Sequence, residues 1–143
     1  MIKVKLINPN CKPVRATKGS LAYDLLANIK EKKPIYPMRS LSIPTGIAVD
    51  TSNTDYAALL LPRSGLSGNF GVTLVNSVGL IDDDYRSEII CKLENKSNDK
   101  FTINPLSRIC QLLFVLVQKH DRHIEFVNEI NETGRGGFGS TGF

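Results

Sequence analysis

The chain has 143 residues, a hydrophobic fraction of 41% and a formal net charge of +4 at pH 7. This is the length of a single domain, and no segment predicts a linker between two domains. The three cysteines are an odd number without close pairing, which argues against a secreted disulfide framework. We therefore expect a reducing, cytoplasmic location.

Charge and hydropathy argue against two classes of partner. The basic residues are scattered without a long run, so a nucleic-acid polymer is not the expected target. The most apolar stretch, residues 109–117, contains Gln111 and is shorter than the roughly 18 residues of a membrane helix. The N-terminus alternates in polarity, so neither a signal peptide nor a membrane role is expected. A small polyanionic ligand is compatible with the net positive charge.

Short runs with a period of two predict an all-β fold. In the first run Ile2, Val4 and Leu6 alternate with lysines, which is the spacing of a half-buried strand. Further strands are predicted, in chain order, at 41–44, 47–50, 56–61, 72–75, 88–94, 101–103, 108–118 and 123–127. Turn-forming residues separate these runs as in a sandwich or barrel. We predict a jelly-roll-like double sheet with one helical turn near residues 64–67.

The last residues differ from the rest in composition. Glycine occupies positions 134, 136, 137, 139 and 142, so we predict a β domain over 1–131 and a flexible arm over 132–143. The G-x-G-x-x-G match in this arm has no helix after it, which excludes a dinucleotide site. Two interpretations stay open: a tail without function, or a flap that closes over phosphates while Phe138 stacks on a base.

Two segments could bind anions or metal. Arg63, Ser64 and Gly65 offer a guanidinium, a hydroxyl and an accessible N–H, which suit either an oxyanion cradle or a surface turn. Asp24 is a lone acid between apolar neighbours. It could form a turn, or it could orient the water shell of Mg²⁺.

Residues 82–86, Asp-Asp-Asp-Tyr-Arg, are the most concentrated polar chemistry in the chain. Three adjacent carboxylates are seldom tolerated in a strand, so we predict a turn, here named the acidic turn. It could be simply solvated. Alternatively, one carboxylate takes a proton from water while the ring of Tyr85 stacks on a base.

The histidines and cysteines do not form a recognisable metal site. His123 and Glu125 match half of a zinc-deaminase signature, but the cysteine pair of that signature is missing. His120 and His123 are predicted to be ordinary strand or surface residues. The three cysteines are predicted to lie in the core.

Taken in order, these segments resemble the five motifs of the trimeric dUTPase family. The matching ranges are 19–25, 62–66, 79–86, 108–112 and 136–142. The resemblance implies a homotrimer with sites at subunit interfaces and each C-terminal arm over a neighbour's site. It also implies Mg²⁺-dependent attack of water on the α-phosphorus of dUTP, which yields pyrophosphate and dUMP for thymidylate synthesis.

The resemblance also implies a role for each matching residue. Asp82 would be the base that activates the water, and Tyr85 would pack under the deoxyribose. The uracil edge would be read by the Asn76 side chain and by backbone groups around the following residues: Leu80, Ile81, Asp82 and Ile90.

At the phosphate end, Arg63, Ser64 and Gly65 would hold the substrate. Gln111 would bridge the phosphates and the water network, and Asp24 would contact Mg²⁺ through water. Phe138 would stack on the uracil when the arm closes.

Some positions depart from the family pattern. Ala22 and Ser87 stand where glycine is common, and residues 106–107, Leu-Ser, replace a Gly-acid pair. Thr133 takes the place of an arginine that contributes charge toward the terminal phosphate. We expect either that Arg135 substitutes for it or that the arm binds more weakly.

Two alternatives to dUTP hydrolysis remain. A dCTP deaminase would share the fold, but that family uses a glutamate where this chain has Asn76 and Asp82. A nucleotide-sensing interaction protein would retain the fold and hydrolyse little. A deaminase would release ammonia from dCTP, and a dUTPase would release pyrophosphate from dUTP. A sensing protein would release little of either.

Overall fold

The computed structural model describes residues 1–119 and 124–131. This part of the chain contains eleven strands, one helix and one 3-10 turn at Pro9–Cys11. The helix, α1, spans Ser64–Phe70. The strands are β1 (Lys3–Leu6), β2 (Tyr23–Leu26), β3 (Lys33–Ile35), β4 (Ser40–Pro44), β5 (Ile47–Asp50), β6 (Tyr56–Leu61), β7 (Val72–Leu74), β8 (Gly79–Ile81), β9 (Ile90–Asn95), β10 (Phe101–Ile103) and β11 (Arg108–Leu116). The all-β prediction is confirmed.

The strands form two larger sheets and two ribbons, and all pairs between them are antiparallel. The larger sheets have the orders β2-β11-β6-β8 and β4-β9-β7, and the ribbons are β1-β5 and β10-β3. In the four-stranded sheet Gln111 faces Asp24 on one side and Leu61 on the other. This register places Asp24 of β2 and Gln111 of β11 beside the end of β6, from which the chain continues to α1.

One hydrophobic core joins the sheets. It contains alternate residues of β9, Cys91 and Leu93, as well as Leu25 of β2 and Leu112 of β11. Alternate residues of β9 lie in the core because every second side chain of a strand points to the same face. Cys11, Cys91 and Cys110 are buried and free, as predicted.

The neighbourhood of Cys110 keeps its thiol neutral. A hydrogen bond with Cys91 and burial raise the pKa of Cys110 well above its ordinary value. The cysteines therefore behave as small apolar core residues.

Several sequence predictions need correction. β2, β3 and β8 were not predicted. Their sequences, Tyr-Asp-Leu-Leu, Lys-Pro-Ile and Gly-Leu-Ile, show no clear alternation, and proline and glycine weaken a strand prediction in the last two. The predicted strand at 123–127 is wrong for its described part: Ile124 to Val127 form no strand, and Phe126 is 95% exposed. These residues have strand-like composition, but no strand of the same chain pairs with them within the described residues.

The helix is longer than the single turn predicted. Leu66 packs against the core, and Gly71 ends the helix with a left-handed φ of 64°. His120, His123 and the predicted arm at 132–143 lie outside the described residues. No helix within residues 1–119 and 124–131 is long and apolar enough to cross a membrane.

Candidate functional site

A buried carboxylate with three nitrogen donors lies at one end of the four-stranded sheet. Asp24 is 5% exposed. Its Oδ1 accepts hydrogen bonds from Arg63 Nε at 2.9 Å and from Gln111 Nε2 at 3.4 Å. Its Oδ2 accepts one from an Arg108 Nη1 at 3.2 Å. Asp24, Arg63, Arg108 and Gln111 are named the Asp24 cluster below.

The fold explains why these four side chains meet. Asp24 and Gln111 are register partners in β2 and β11, and Arg63 lies between the end of β6 and the start of α1. Arg63 also donates from Nη1 to the Arg108 carbonyl at 3.0 Å. Two guanidiniums around one carboxylate leave a net positive charge, which suits an anion with several oxygens.

Ser64 and Gly65 open α1 directly beside this cluster, and both are exposed. An added Cβ at Gly65 would meet nothing within 4 Å. Contacts inside the chain therefore do not explain the glycine. The space beside Gly65 is open.

The acidic turn begins directly after β8. Its backbone is closed by a hydrogen bond from the Tyr85 N–H to the Asp82 carbonyl at 3.1 Å. Tyr85 also donates its hydroxyl to the Glu88 carbonyl at 2.8 Å. The sequence prediction of a turn is confirmed, and the Asp82 side chain is exposed at its start.

Two cations hold the acidic turn against the β5–β6 loop. Arg86 pairs with Asp50 at 3.0 Å and donates to the Asp83 carbonyl. Lys119 pairs with Asp83 at 3.3 Å and donates to the Thr51 carbonyl at 2.8 Å. Hydrogen bonds from Ser52 lower the pKa of the Asp50 carboxyl, and Arg86 lowers it further. These pairs leave two carboxylates of the turn, Asp82 and Asp84, without an ion pair to a described residue.

The loop before β8 contains a strained residue next to Asn76. Ser77 has a φ of 60°, and the Val78 N–H donates to the Asn76 carbonyl at 2.6 Å, which makes a three-residue turn. A Cβ on Gly79 would lie 3.2 Å from Asn76 Nδ2 and 3.2 Å from Leu60 Cβ. Gly79 thus provides the space that the Asn76 side chain occupies.

One chain does not bring all the predicted site residues together. Asp24 lies on β2, and Arg108 and Gln111 lie on β11, whereas β8 is the opposite edge of the same sheet. Three strand spacings separate β2 from β8, which is about 14 Å. Asp24, Arg63 and Gln111 meet, with Ser64 and Gly65 beside them. The second group surrounds β8 and the start of β9: Asn76, Leu80, Ile81, Asp82, Tyr85 and Ile90. Phe138 lies outside the described residues.

Comparison with known proteins gives a match over almost the whole sequence. The family model described as dUTPase matches residues 2–142. The chain belongs to the dUTPase family. Deoxyuridine 5'-triphosphate nucleotidohydrolase of Neisseria meningitidis serogroup A is 46% identical over 132 residues, 91% of this chain and 87% of that protein. The protein of the same name from Nitrosomonas eutropha is 42% identical over 146 residues, covering 99% and 97%.

Solved dUTPase structures share the fold. The dUTPase of Staphylococcus bacteriophage 80alpha, a mutant with dUpNHpp, superposes with a TM-score of 0.80 at 24% identity, covering 100% of this chain and 99% of that one. A mutant dUTPase from phage phi11 of S. aureus, described with a structural Mg(II) ion, gives 0.77 at 21% identity, covering 92% and 99%. At these identities the likeness is one of fold.

The dUTPase family implies Mg²⁺, and the Asp24 cluster limits how the ion could be held. Within the described residues, no group of three or more His, Cys, Asp or Glu side chains could ligate a metal. Asp24 already accepts three hydrogen bonds, whereas an ionised carboxylate offers about four acceptor positions. The residues therefore fit one contact through water, and they do not form a direct cage.

Sequence reasoning missed two polar residues that support the site. Arg108 was found within a motif but was given no role, although its position at the start of β11 beside β2 brings it to Asp24. Glu88 was predicted only as the first residue of a strand at 88–94, and the observed β9 begins two residues later. The hydrogen bonds of Glu88 link residues distant in sequence, so no local pattern could have indicated them.

Proposed function

We propose that this chain hydrolyses dUTP to dUMP and pyrophosphate by attack of water on the α-phosphorus. The observation that carries the proposal is the Asp24 cluster, a preformed cationic site for a polyanion, in a chain of the dUTPase family. The reaction removes dUTP and supplies dUMP for thymidylate synthesis.

The phosphates bind at the Asp24 cluster. Arg63 and Arg108 provide charge, and the exposed Ser64 and Gly65 at the start of α1 provide a hydroxyl and N–H groups. Gln111 bridges the phosphates and the water network. Preformed donors of this kind favour the transition state because they need no reorganisation as charge moves to the leaving group.

Asp82 activates the water. Its carboxylate is exposed at the end of β8 and the turn behind it is held by ion pairs, so it can accept the proton as the oxygen attacks phosphorus. The P–O bond to the β-phosphate breaks, and pyrophosphate leaves. No covalent intermediate is needed.

The second group of residues selects the nucleoside. The Asn76 amide and the backbone of Leu80, Ile81 and Ile90 read the uracil edge. Cytosine exchanges a donor and an acceptor on this edge, so it would leave buried polar groups unpaired. Tyr85 packs under the deoxyribose.

Mg²⁺ supplies charge neutralisation on the phosphates when bound. Asp24 would contact the ion through water, because one acceptor position of its carboxylate remains.

The active form is a homotrimer in which each site uses two or more chains. Support comes from the position of Asp82 and Asp24 on opposite sides of one sheet. The arm at 132–143 closes over a neighbour's site and brings Phe138 onto the uracil. Arg135 takes over the charge of the arginine replaced by Thr133.

Mixing two inactive variants tests the shared site. Asp82→Asn and Arg63→Ala chains are each expected to be nearly inactive. Refolded together in equal amounts they should regain about a quarter of wild-type activity, because each mixed ring of three then contains one intact site. No recovery would show that a site uses one chain.

The reaction itself is tested by Mg²⁺-dependent pyrophosphate release. We expect release from dUTP and little from UTP, dTTP or dCTP. Ammonia release from dCTP would indicate a deaminase, and binding of dUTP without turnover would indicate a sensing protein. A matched Arg135→Ala variant with unchanged turnover and affinity would contradict the role of Arg135.

A cytoplasmic location is also proposed. It is supported by the three free, buried cysteines, which are typical of reducing compartments.

A further inference from the structure

A chain of hydrogen bonds runs from the turn between β4 and β5 to the ring of Tyr85. Glu88 Oε1 accepts from the Gly46 N–H at 2.6 Å and from the Asn28 amide at 2.9 Å. The main-chain carbonyl of Glu88 accepts the Tyr85 hydroxyl at 2.8 Å. Glu88 is therefore fixed to the interior by its side chain and to Tyr85 by its backbone.

The inner end of this chain is rigid. The Gly46 carbonyl accepts from the N–H of Asn8 at 3.0 Å, and the Asn8 amide donates to Asn28 Oδ1 at 2.8 Å. Gly46 is buried, has a φ of 73° and lies so close to Cys11 that an added Cβ would be 2.6 Å from the Cys11 Cβ. The donors that hold Glu88 cannot move independently of the core.

The outer end is an exposed aromatic side chain. Tyr85 is 39% exposed, and a ring in that position would ordinarily sample several rotamers. Here the backbone N–H of Tyr85 donates to the Asp82 carbonyl, and the ring itself is held by the hydroxyl, which donates to the Glu88 carbonyl. Loss of the hydroxyl contact would leave the ring free to rotate.

We propose that Glu88 is a positioning residue that fixes the ring of Tyr85 and thereby determines the selectivity for deoxyribose over ribose. This inference rests on the proposed function, in which Tyr85 packs under the sugar. A ring that is held in place cannot withdraw from a 2′-hydroxyl, so a ribonucleotide meets a steric barrier. A mobile ring lowers that barrier.

Equilibrium binding of the α,β-imido analogues of dUTP and UTP to the full chain tests this inference without requiring turnover. Glu88→Ala and Tyr85→Phe should each reduce the preference for the deoxy analogue by about 3- to 10-fold, the range expected for one lost hydrogen bond. Glu88→Gln keeps an acceptor for Gly46 and Asn28 and should retain the preference. Glu94→Ala, which loses a surface ion pair between β9 and Lys96 just after this strand, is the matched control and should retain it too.

The double variant Glu88→Ala/Tyr85→Phe separates positioning from general loss of stability. If Glu88 acts through the Tyr85 hydroxyl, the double variant should show no greater loss of preference than Tyr85→Phe alone. Additive losses would overturn the proposal, and so would a Glu88→Ala variant that melts earlier but keeps the preference. If Glu88→Ala does not fold, Asn28→Ala replaces it in this double-mutant comparison, because it removes one of the two donors that hold the Glu88 side chain.

Failure of this inference is distinguishable from failure of the proposed function. A wild-type chain that releases pyrophosphate from dUTP but binds both analogues equally would overturn the positioning role alone. A chain that prefers the deoxy analogue, loses this preference on Tyr85→Phe and releases no pyrophosphate would overturn the hydrolysis alone.

Discussion

The Asp24 cluster and the acidic turn place similar chemical groups in opposite environments. Asp24 is 5% exposed and accepts donors from three other side chains, two of them cations. Asp82 is exposed and has only its backbone engaged within the described residues. The buried carboxylate organises the cations around it, whereas the exposed carboxylate has no side-chain partner among the described residues and can accept a proton. The two residues are of the same type, so burial alone separates the aspartate that holds other side chains from the aspartate that faces solvent.

Asp82→Asn should have the largest effect, and on activity alone. Removal of a positioned general base is expected to lower kcat about 10²- to 10⁴-fold. Because the side chain is exposed, the free energy of unfolding should change by less than about 0.5 kcal/mol. Pyrophosphate release and thermal unfolding measure the two effects. Retained activity would remove Asp82 from the mechanism.

Asp24→Asn, in contrast to Asp82→Asn, should lower the stability of the chain. Arg63 and Arg108 would lose their shared carboxylate, which should cost about 2 kcal/mol of unfolding free energy because both guanidiniums are partly solvated. Urea unfolding measures the loss. Asp99→Asn removes an exposed acid and serves as the control. An unfolding midpoint as high as that of the control would contradict the structural role of Asp24.

Gly79→Ala tests the loop beside the acidic turn. The new methyl would press on the Asn76 amide, since Leu60 is fixed in β6. We expect KM for dUTP to rise about 3- to 10-fold, with about 1 kcal/mol of lost stability from overpacking. Gly68→Ala, where a Cβ meets nothing within 4 Å, is the matched control. Equal KM values for the two variants would refute the steric argument.

Leu106→Gly should stabilise the chain slightly. Leu106 follows Pro105 in the turn before β11 and has a φ of 58°, a conformation that costs a leucine about 1 kcal/mol. After the larger entropy of unfolded glycine is subtracted, a gain of about 0.5 kcal/mol remains. Urea midpoints should rank glycine above asparagine and asparagine above leucine. The reverse order would show that the leucine side chain makes a compensating contact.

The sequence predicted best the features that depend on residues close together in the chain. The acidic turn follows from three adjacent carboxylates, and the strands with clear alternation, such as β6 and β11, were found close to their observed bounds. Leu106 stands where glycine is common in the family, and only the structure shows why glycine suits this position, namely the positive φ of residue 106.

Other features depend on contacts between distant segments. Arg108 and Asp24 are 84 residues apart, and Asn28 and Glu88 are 60 apart. Periodicity and spacing within one sequence carry no information on such pairs. The segment after β11 was misassigned because its composition favours a strand, while strand formation also requires a neighbour to pair with.

That segment has a consequence for how the folded chain behaves in solution. Ile124, Phe126, Val127 and Ile130 are all more than half exposed. Apolar side chains that lie close together on a surface mark either a contact with another molecule or a risk of aggregation. Any contact that covers these four side chains would therefore also protect the folded chain from aggregation.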